Sequence, residues 1–342
     1  MPVKYSGRLF LVNEAPSILE VIWDVQKIAA VRLEGGLGDH ILGLRLLPFI
    51  SRRYPNHHII VYSDSGANRA QLDIVRLSPY VREVVPVFRI LERVTKHNLW
   101  HLDILRPQDL ALMRSADVFF DAALWSFFVP QSKVLGVPFY DILASRPELR
   151  IPQSARSEAS DLLGETEGLK YIGLNLSKYG AQFIHSQRST LKDFLRSLMR
   201  DPATRVLNIF SRSTDFPHWP EPERSQRRKI AREESEVISE LSSWDERIIP
   251  IVDQPIAVVA ALLEMCRYFV GVDNGIKHLA WALGISHSLI LPQVSDFNRP
   301  ENVREITFVL HWIPDFDRTL ALNCADQVAI HTREAIDRLN QS

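Results

Sequence analysis

Short apolar runs alternate with stretches of helical period along this sequence, break off once, and then begin again. "IAAVRL" (28–33), "HIIVYS" (58–63), "VREVVPV" (81–87) and "DVFFDAAL" (117–124) read as buried strands. After the first comes a helix expected over roughly 39–53, closed by Tyr54-Pro55. The segment 146–168, "RPELRIPQSARSEASDLLGETEG", is polar and proline-bearing, and reads as a linker with a short helix. Strands at "YIGLNLS" (171–177), "RVLNIF" (205–210), "RIIPIV" (247–252) and "SLILP" (288–292) then alternate with helices near 189–200, 232–242 and 255–266. Such alternation is the mark of parallel sheets covered by helices, hence an α/β fold. The 342 residues exceed one typical core. The expected domains are 1–160 and 161–324, with a terminal helix, "ADQVAIHTREAIDRL" (325–339), in a last segment 325–342 that packs back on the first domain.

Bulk charge removes several function classes. With 40 basic and 41 acidic residues the formal net charge is -1, so nucleic acid is not the expected partner. The two cysteines, Cys266 and Cys324, form neither a metal cluster nor a disulfide scaffold, and fit a reducing compartment. The apolar run near the N-terminus is broken by Asn13, Glu14 and Pro16, and no stretch reaches the ~18–20 apolar residues of a membrane span. The expected location is the cytoplasm, with at most peripheral membrane contact.

Three stretches carry candidate chemistry. In "RLEGGLGDHILGLRLLP" (32–48) a strand enters a loop containing Gly35, Gly36 and Gly38, which let a ligand approach the main chain. The dinucleotide pattern G-x-G-x-x-G fails because position 41 is Ile41. Asp39 reads equally as a helix cap and as an acid presented to a cleft, with His40 beside it. In "YFVGVDNGIKHLAWALG" (268–284) a buried strand stops at Asp273, Asn274 and Gly275 before a helix. Ile276, Leu279, Ala280 and Leu283 make its apolar stripe, Gly284 closes it, and Asp273 or Asn274 caps it. His278 lies off that stripe, either as a surface histidine or beside an anion held at the helix N-terminus. In "LNLSKYGAQFIHSQRSTLKDF" (174–194) Ser177, Lys178 and Arg188 suit a diphosphate, or form a solvated loop. The proline-broken stretch 211–229 reads as a surface loop or lid, and "DFD" (315–317) as a turn.

Together these stretches resemble the heptosyltransferase-type glycosyltransferases, the group that includes ADP-heptose:lipopolysaccharide heptosyltransferases. "GGLGDHILGLRLLPFISRRYPNHHIIVY" is similar to that family's opening Gly-Asp block. "IPIVDQPIAVVAALLEMCRYFVGVDNGIKHLAWALGISHSLILP" is similar to its Asp-x-Gly-x-x-His block, and "PQVSDFNRPEN" stands where the family has a Gly-Pro-Thr loop. The resemblance implies a GT-B fold, two Rossmann-like domains with parallel sheets facing a central cleft. It implies inverting, metal-independent transfer from a nucleotide sugar, with no cofactor, to a glycan, lipid-linked or small-molecule acceptor.

Carried over, Asp39 is the general base and Gly36, Gly38 and His40 lie on the acceptor side. Ser177, Lys178, Arg188, Asp273, Asn274, Gly275 and His278 bind the donor. The chain departs from the pattern around the donor. Asn274 stands where Ser or Thr is usual, Ser189-Thr190 follows Arg188 where the family has Trp-Pro after a lysine, and Pro292-Gln293-Val294 replaces the Gly-Pro-Thr loop. These departures weigh against ADP-heptose itself. The alternatives are a sugar-nucleotide epimerase of the same fold and a catalytically degenerate nucleotide-sugar-binding protein.

Overall fold

The computed structural model of the chain describes residues 27–64, 69–87, 89–90, 104–105, 111, 113, 115–122, 128–177, 188–212, 223–272, 274–290 and 319–322. The first half supplies β1 (Lys27–Leu33), β2 (His57–Asp64), β3 (Val81–Val87) and β6 (Val118–Asp121), all parallel, in the order β3-β2-β1-β6. A small antiparallel pair, β4 (Arg89–Ile90) and β5 (Ile104–Leu105), stands apart. Successive residues of β1 go to opposite faces. Ala29, Val31 and Leu33 join one apolar cluster, and Ala30 joins another with Tyr62, Val87 and Met113. Burial on both faces is why the strand reads as a near-continuous apolar run.

The second half holds a six-stranded parallel sheet in the order β12-β11-β10-β7-β8-β9. Its strands are β7 (Lys170–Asn175), β8 (Thr204–Phe210), β9 (Ile248–Val252), β10 (Cys266–Val272), β11 (His287–Ile290) and β12 (Thr319–Leu322). Read in chain order from β7, this is the 3-2-1-4-5-6 order of a Rossmann sheet, and it reverses direction between β7 and β10. In the first sheet the order reverses between β1 and β6. Ligands of such sheets sit beyond the carboxyl ends of the strands at the reversal. The segments that follow β1, β7 and β10 are those that the sequence motifs occupy.

The helix expected over 39–53 is three pieces: α1 (Leu37–Gly43), a 3-10 turn (Leu44–Leu46) and α2 (Leu47–Arg53). Pro48 causes the break: it has no N–H to return to the carbonyl one turn back, so the preceding turn tightens and a new helix starts with proline in its first turn. Further along lie α3 (Arg69–Arg76), α4 (Phe128–Leu135), α5 (Phe139–Ala144), α6 (Gln153–Leu163) and α7 (Arg188–Leu198). They are followed by α8 (Glu223–Glu240), α9 (Ile256–Glu264) and α10 (Gly275–Ala282). The stretch expected as a loop over 211–229 is helical from Glu223 onward. Strong helix formers with charge on every side give that segment no apolar stripe to reveal it.

One apolar cluster runs through both halves. It includes Val31, Ile41, Leu46 and Ile74 from the first, and Ile209, Ile251, Leu262 and Leu279 from the second. Helix α6 is part of this seam. Its Ala155 and Ala159 are buried in the cluster with α9, and Arg156 pairs with Glu264 at the end of α9 at 2.8 Å. The domain boundary expected at 160/161 therefore falls inside α6, a helix that already packs on the second half. A separate cluster covers the far face of the second sheet, where α7 contributes Leu191, Phe194, Leu195 and Leu198. The terminal segment 325–342 lies outside the described residues, as do Cys324, "DFD" and Pro292-Gln293-Val294. No helix among the described residues is long and apolar enough to cross a membrane.

Candidate active site

The Gly-Asp loop leaves β1 and turns at Gly35, whose φ of +94 is a left-handed value that favours glycine. Gly36 is the N-cap of α1, and Asp39 is its third residue rather than the cap itself. The Asp39 Oδ2 accepts the Gly36 N–H at 2.7 Å, the carboxylate half of a capping box. This bond fixes the orientation of the carboxylate. His40 is fully buried. Its Nδ1 stands 3.0 Å from the Gly36 carbonyl and its Nε2 2.7 Å from Ser63 Oγ, at the end of β2. A carbonyl only accepts, so Nδ1 carries a proton. His40 thus braces the loop from inside, whereas the sequence reading placed it beside the acceptor. At the neighbouring strand end Arg32 pairs with Glu34 and donates to Asp121 Oδ2 at 3.3 Å, tying the carboxyl end of β6 to the same loop.

In the second half Asn274, not a serine or threonine, caps α10. Its Oδ1 accepts from the N–H of Ile276 at 3.0 Å and of Lys277 at 3.3 Å. Its Nδ2 donates to Asn175 Oδ1 and to the Ser177 carbonyl, the latter at 3.1 Å. Asn175 Nδ2 in turn donates to the Ile209 carbonyl at 2.7 Å. These amides bridge β7, β8 and β10 across the point where the sheet reverses. They bring Ser177 and Asn274 together, and the Asn274 cap engages two of the backbone donors at the start of the helix. Gly284, with φ +78, follows the end of α10 as the sequence pattern expects.

The two stretches meet directly. A Cβ on Gly38 would stand 2.6 Å from His278 Cδ2, and a Cβ on Gly275 2.7 Å from Leu37 Cβ. Each helix start thus offers a glycine notch to a side chain of the other. A turn further on, the Arg45 guanidinium lies over the Trp281 ring at 4.3 Å and donates to the Leu143 carbonyl at 3.1 Å. Gly275, His278 and Trp281 therefore form one face of α10 turned to the first half, while Leu279 and Ala280 belong to the apolar cluster. This second partner explains why His278, off the apolar stripe, is only 7 % exposed. Sequence periodicity sees one buried face, and α10 has two.

Of the expected donor residues, Arg188 is engaged by an acid. It starts α7, is 53 % exposed, pairs with Glu240 at the end of α8 and lies 5.5 Å from the Trp244 ring. Lys178 and Asp273 lie outside the described residues. Two buried residues escaped the sequence reading. Gln71, in the first turn of α3, stands one turn before the buried Ile74 and Val75, and Lys277, in the first turn of α10, one turn before the buried Ala280 and Trp281; only their polar identity hides their burial from the sequence pattern. Among the described residues no three His, Cys, Asp or Glu side chains gather as a metal site.

No protein-family model matches the sequence, and no curated protein does. Solved structures do match. A family 9 glycosyl transferase from Veillonella parvula shares 14% identity over 90% of this chain and 89% of its own, with a TM-score of 0.51. The E. coli ADP-heptose lps heptosyltransferase II shares 12% over 91% of this chain and 98% of its own, with a TM-score of 0.55. The E. coli heptosyltransferase WaaC, solved with ADP-2-deoxy-2-fluoro heptose, shares 15% over 91% and 99%, with a TM-score of 0.50. The fold is GT-B: two Rossmann-like domains, as the sequence resemblance implied.

Proposed function

We propose that this chain is a glycosyltransferase that moves a sugar from a nucleoside-diphosphate sugar to an acceptor hydroxyl, with inversion at the anomeric carbon. One observation carries the reading. The Gly35–Asp39 loop and the Asn274–His278 helix start, each at the reversal point of its own sheet, come together between the domains, with Gly38 against His278. A GT-B enzyme needs an acid from one domain and a donor-binding helix from the other at one place. The WaaC structure, with a nucleotide-sugar analogue bound, supports the choice of donor class.

On this reading Asp39, oriented by the Gly36 N–H, takes the proton of the acceptor hydroxyl. That oxygen attacks the anomeric carbon from the face opposite the nucleoside diphosphate, and the carbon–phosphate oxygen bond breaks. Negative charge grows on the departing diphosphate. The positive end of the α10 dipole and Lys178 offset it most strongly as the bond breaks. Arg188, engaged with Glu240, is assigned no part. The Asn274 cap accepts two of the N–H groups at the start of α10, and the departures at Asn274 and Ser189-Thr190 from the family's pattern make a donor other than ADP-heptose the expected one. No metal takes part in the scheme, and full activity in EDTA is the expected result.

The test is a thermal-shift screen against ADP, GDP, UDP, CDP and dTDP, followed by product analysis with sugars on the selected nucleotide. A binding diphosphate raises the melting temperature by mass action. Asp39→Ala should bind the same nucleotide and lose transfer by a factor on the order of 10²–10⁴, the usual contribution of a general base. Transfer at the wild-type rate would remove Asp39 from the mechanism.

A further inference from the structure

The turn that presents Asp39 is held by a residue that no motif points to. Gln71 lies in the first turn of α3, just beyond the carboxyl end of β2, and is 6 % exposed. Its Nε2 donates to the Gly35 carbonyl at 2.6 Å. Gly35 is the left-handed residue of the loop, and the next N–H, that of Gly36, holds the Asp39 carboxylate. Among the described residues the buried Gln71 Oε1 has no hydrogen-bond partner. An unpaired buried carbonyl costs stability, and a leucine or methionine would fill the same space without it. A local rule broken beside a candidate site marks a residue kept for that site. Two adjacent glycines have little conformational preference of their own, so their geometry is set from outside: by Gln71 at the Gly35 carbonyl and by His40 at the Gly36 carbonyl.

We propose that Gln71 is a positioning residue: it pins the Gly35 carbonyl and thereby the Gly35–Gly36 turn that aims the Asp39 carboxylate. Its kinetic consequence rests on the glycosyltransferase reading, while its effect on the loop rests on geometry alone. The experiment has two arms. Hydrogen exchange on the ligand-free chain compares wild type with Gln71→Met. Amides of residues 34–40 should exchange at least about tenfold faster in the variant, with those of α9 unchanged. Once transfer is established, Gln71→Met should lower kcat about tenfold or more, with KM for the nucleotide sugar within about twofold. Gln71→Glu should regain activity relative to Gln71→Met as pH falls, because a protonated carboxyl again donates to the Gly35 carbonyl. A residue that only fills space would give neither the split nor the acid recovery. Unchanged exchange over 34–40, or wild-type kcat in Gln71→Met, overturns the assignment. A wild-type chain that transfers no sugar overturns the enzymatic reading instead, and the exchange arm still decides whether Gln71 holds the loop.

Discussion

Replacing Gly38 by alanine sets two opposite effects against each other, and their balance measures the contact between the domains. Taken alone, Gly→Ala in a helix is favourable by up to about 1 kcal/mol. Yet the new Cβ would stand 2.6 Å from His278 Cδ2 and 3.3 Å from Nε2, where ordinary contact begins at 3.4 Å. The shortfall, 3.4 minus 2.6, is 0.8 Å, and the imidazole is boxed in by burial. Relief requires the ring to turn off its rotamer or α1 to back away from α10, and overpacking of this kind costs about 1–3 kcal/mol. Gly38→Ala should therefore be destabilising by up to about 2 kcal/mol. In a His278→Ala background the obstruction is gone and the same substitution should become neutral or stabilising. The coupling in this double-mutant cycle should be about 1–3 kcal/mol, read from urea unfolding followed by tryptophan emission and far-UV circular dichroism. A coupling under about 0.5 kcal/mol, or a Gly38→Ala variant that gains stability in the wild-type background, would refute the proximity of the two motifs.

Other predictions test separate parts of the molecule. Arg45→Met keeps the apolar stem but removes the cation over Trp281, and should cost about 2 kcal/mol of stability in the same unfolding assay; a change under about 0.5 kcal/mol would contradict a buried cation–π contact. The Arg247 side chain, then its N–H, hold the Asp245 carboxyl down to about 2 from its usual 3.8. A lowered value stabilises the fold above about pH 4 and is lost as pH falls toward 2, on the order of 2 kcal/mol for this half-buried pair. Asp245→Asn should flatten stability against pH in that window, and an unchanged slope would count against the pair. Burial pushes the Cys266 thiol far up, so it should resist a thiol reagent in the native state and react on unfolding; rapid native labelling at Cys266 would contradict its burial.

Much of the fold was legible because parallel strands buried on both faces are written as apolar runs. The runs at 28–33, 81–87 and 205–210 match β1, β3 and β8 to within a residue. The last edge strand, β12, was missed because four residues of "TLAL" carry too little pattern. The start of α8 was missed because its signal is propensity without periodicity. In the site, the two motifs announced themselves through residue type, and the structure brings them together. What did not show was contact between segments distant in sequence: the second buried face of α10, the bracing role of His40, the Asn175–Asn274 bridge, and Gln71. Each depends on a partner far away in sequence, at separations of 23 residues for His40–Ser63, 36 for Gln71–Gly35 and 99 for Asn274–Asn175. Arg188 shows a related effect: the sequence marks a cation near a strand end, and only the structure shows its acid partner, 52 residues on.

The continuous apolar cluster shared by both halves bears on how such a protein is re-engineered. A hybrid made by grafting the second half onto a foreign first half would inherit Gly275, His278 and Trp281 with nothing shaped to meet them, and the buried side of α6 would lose whichever neighbour was exchanged. On the proposed donor assignment, swaps of donor preference should therefore travel as substitutions behind the seam, around Asn175, Ser177 and Asn274, rather than as transplanted lobes.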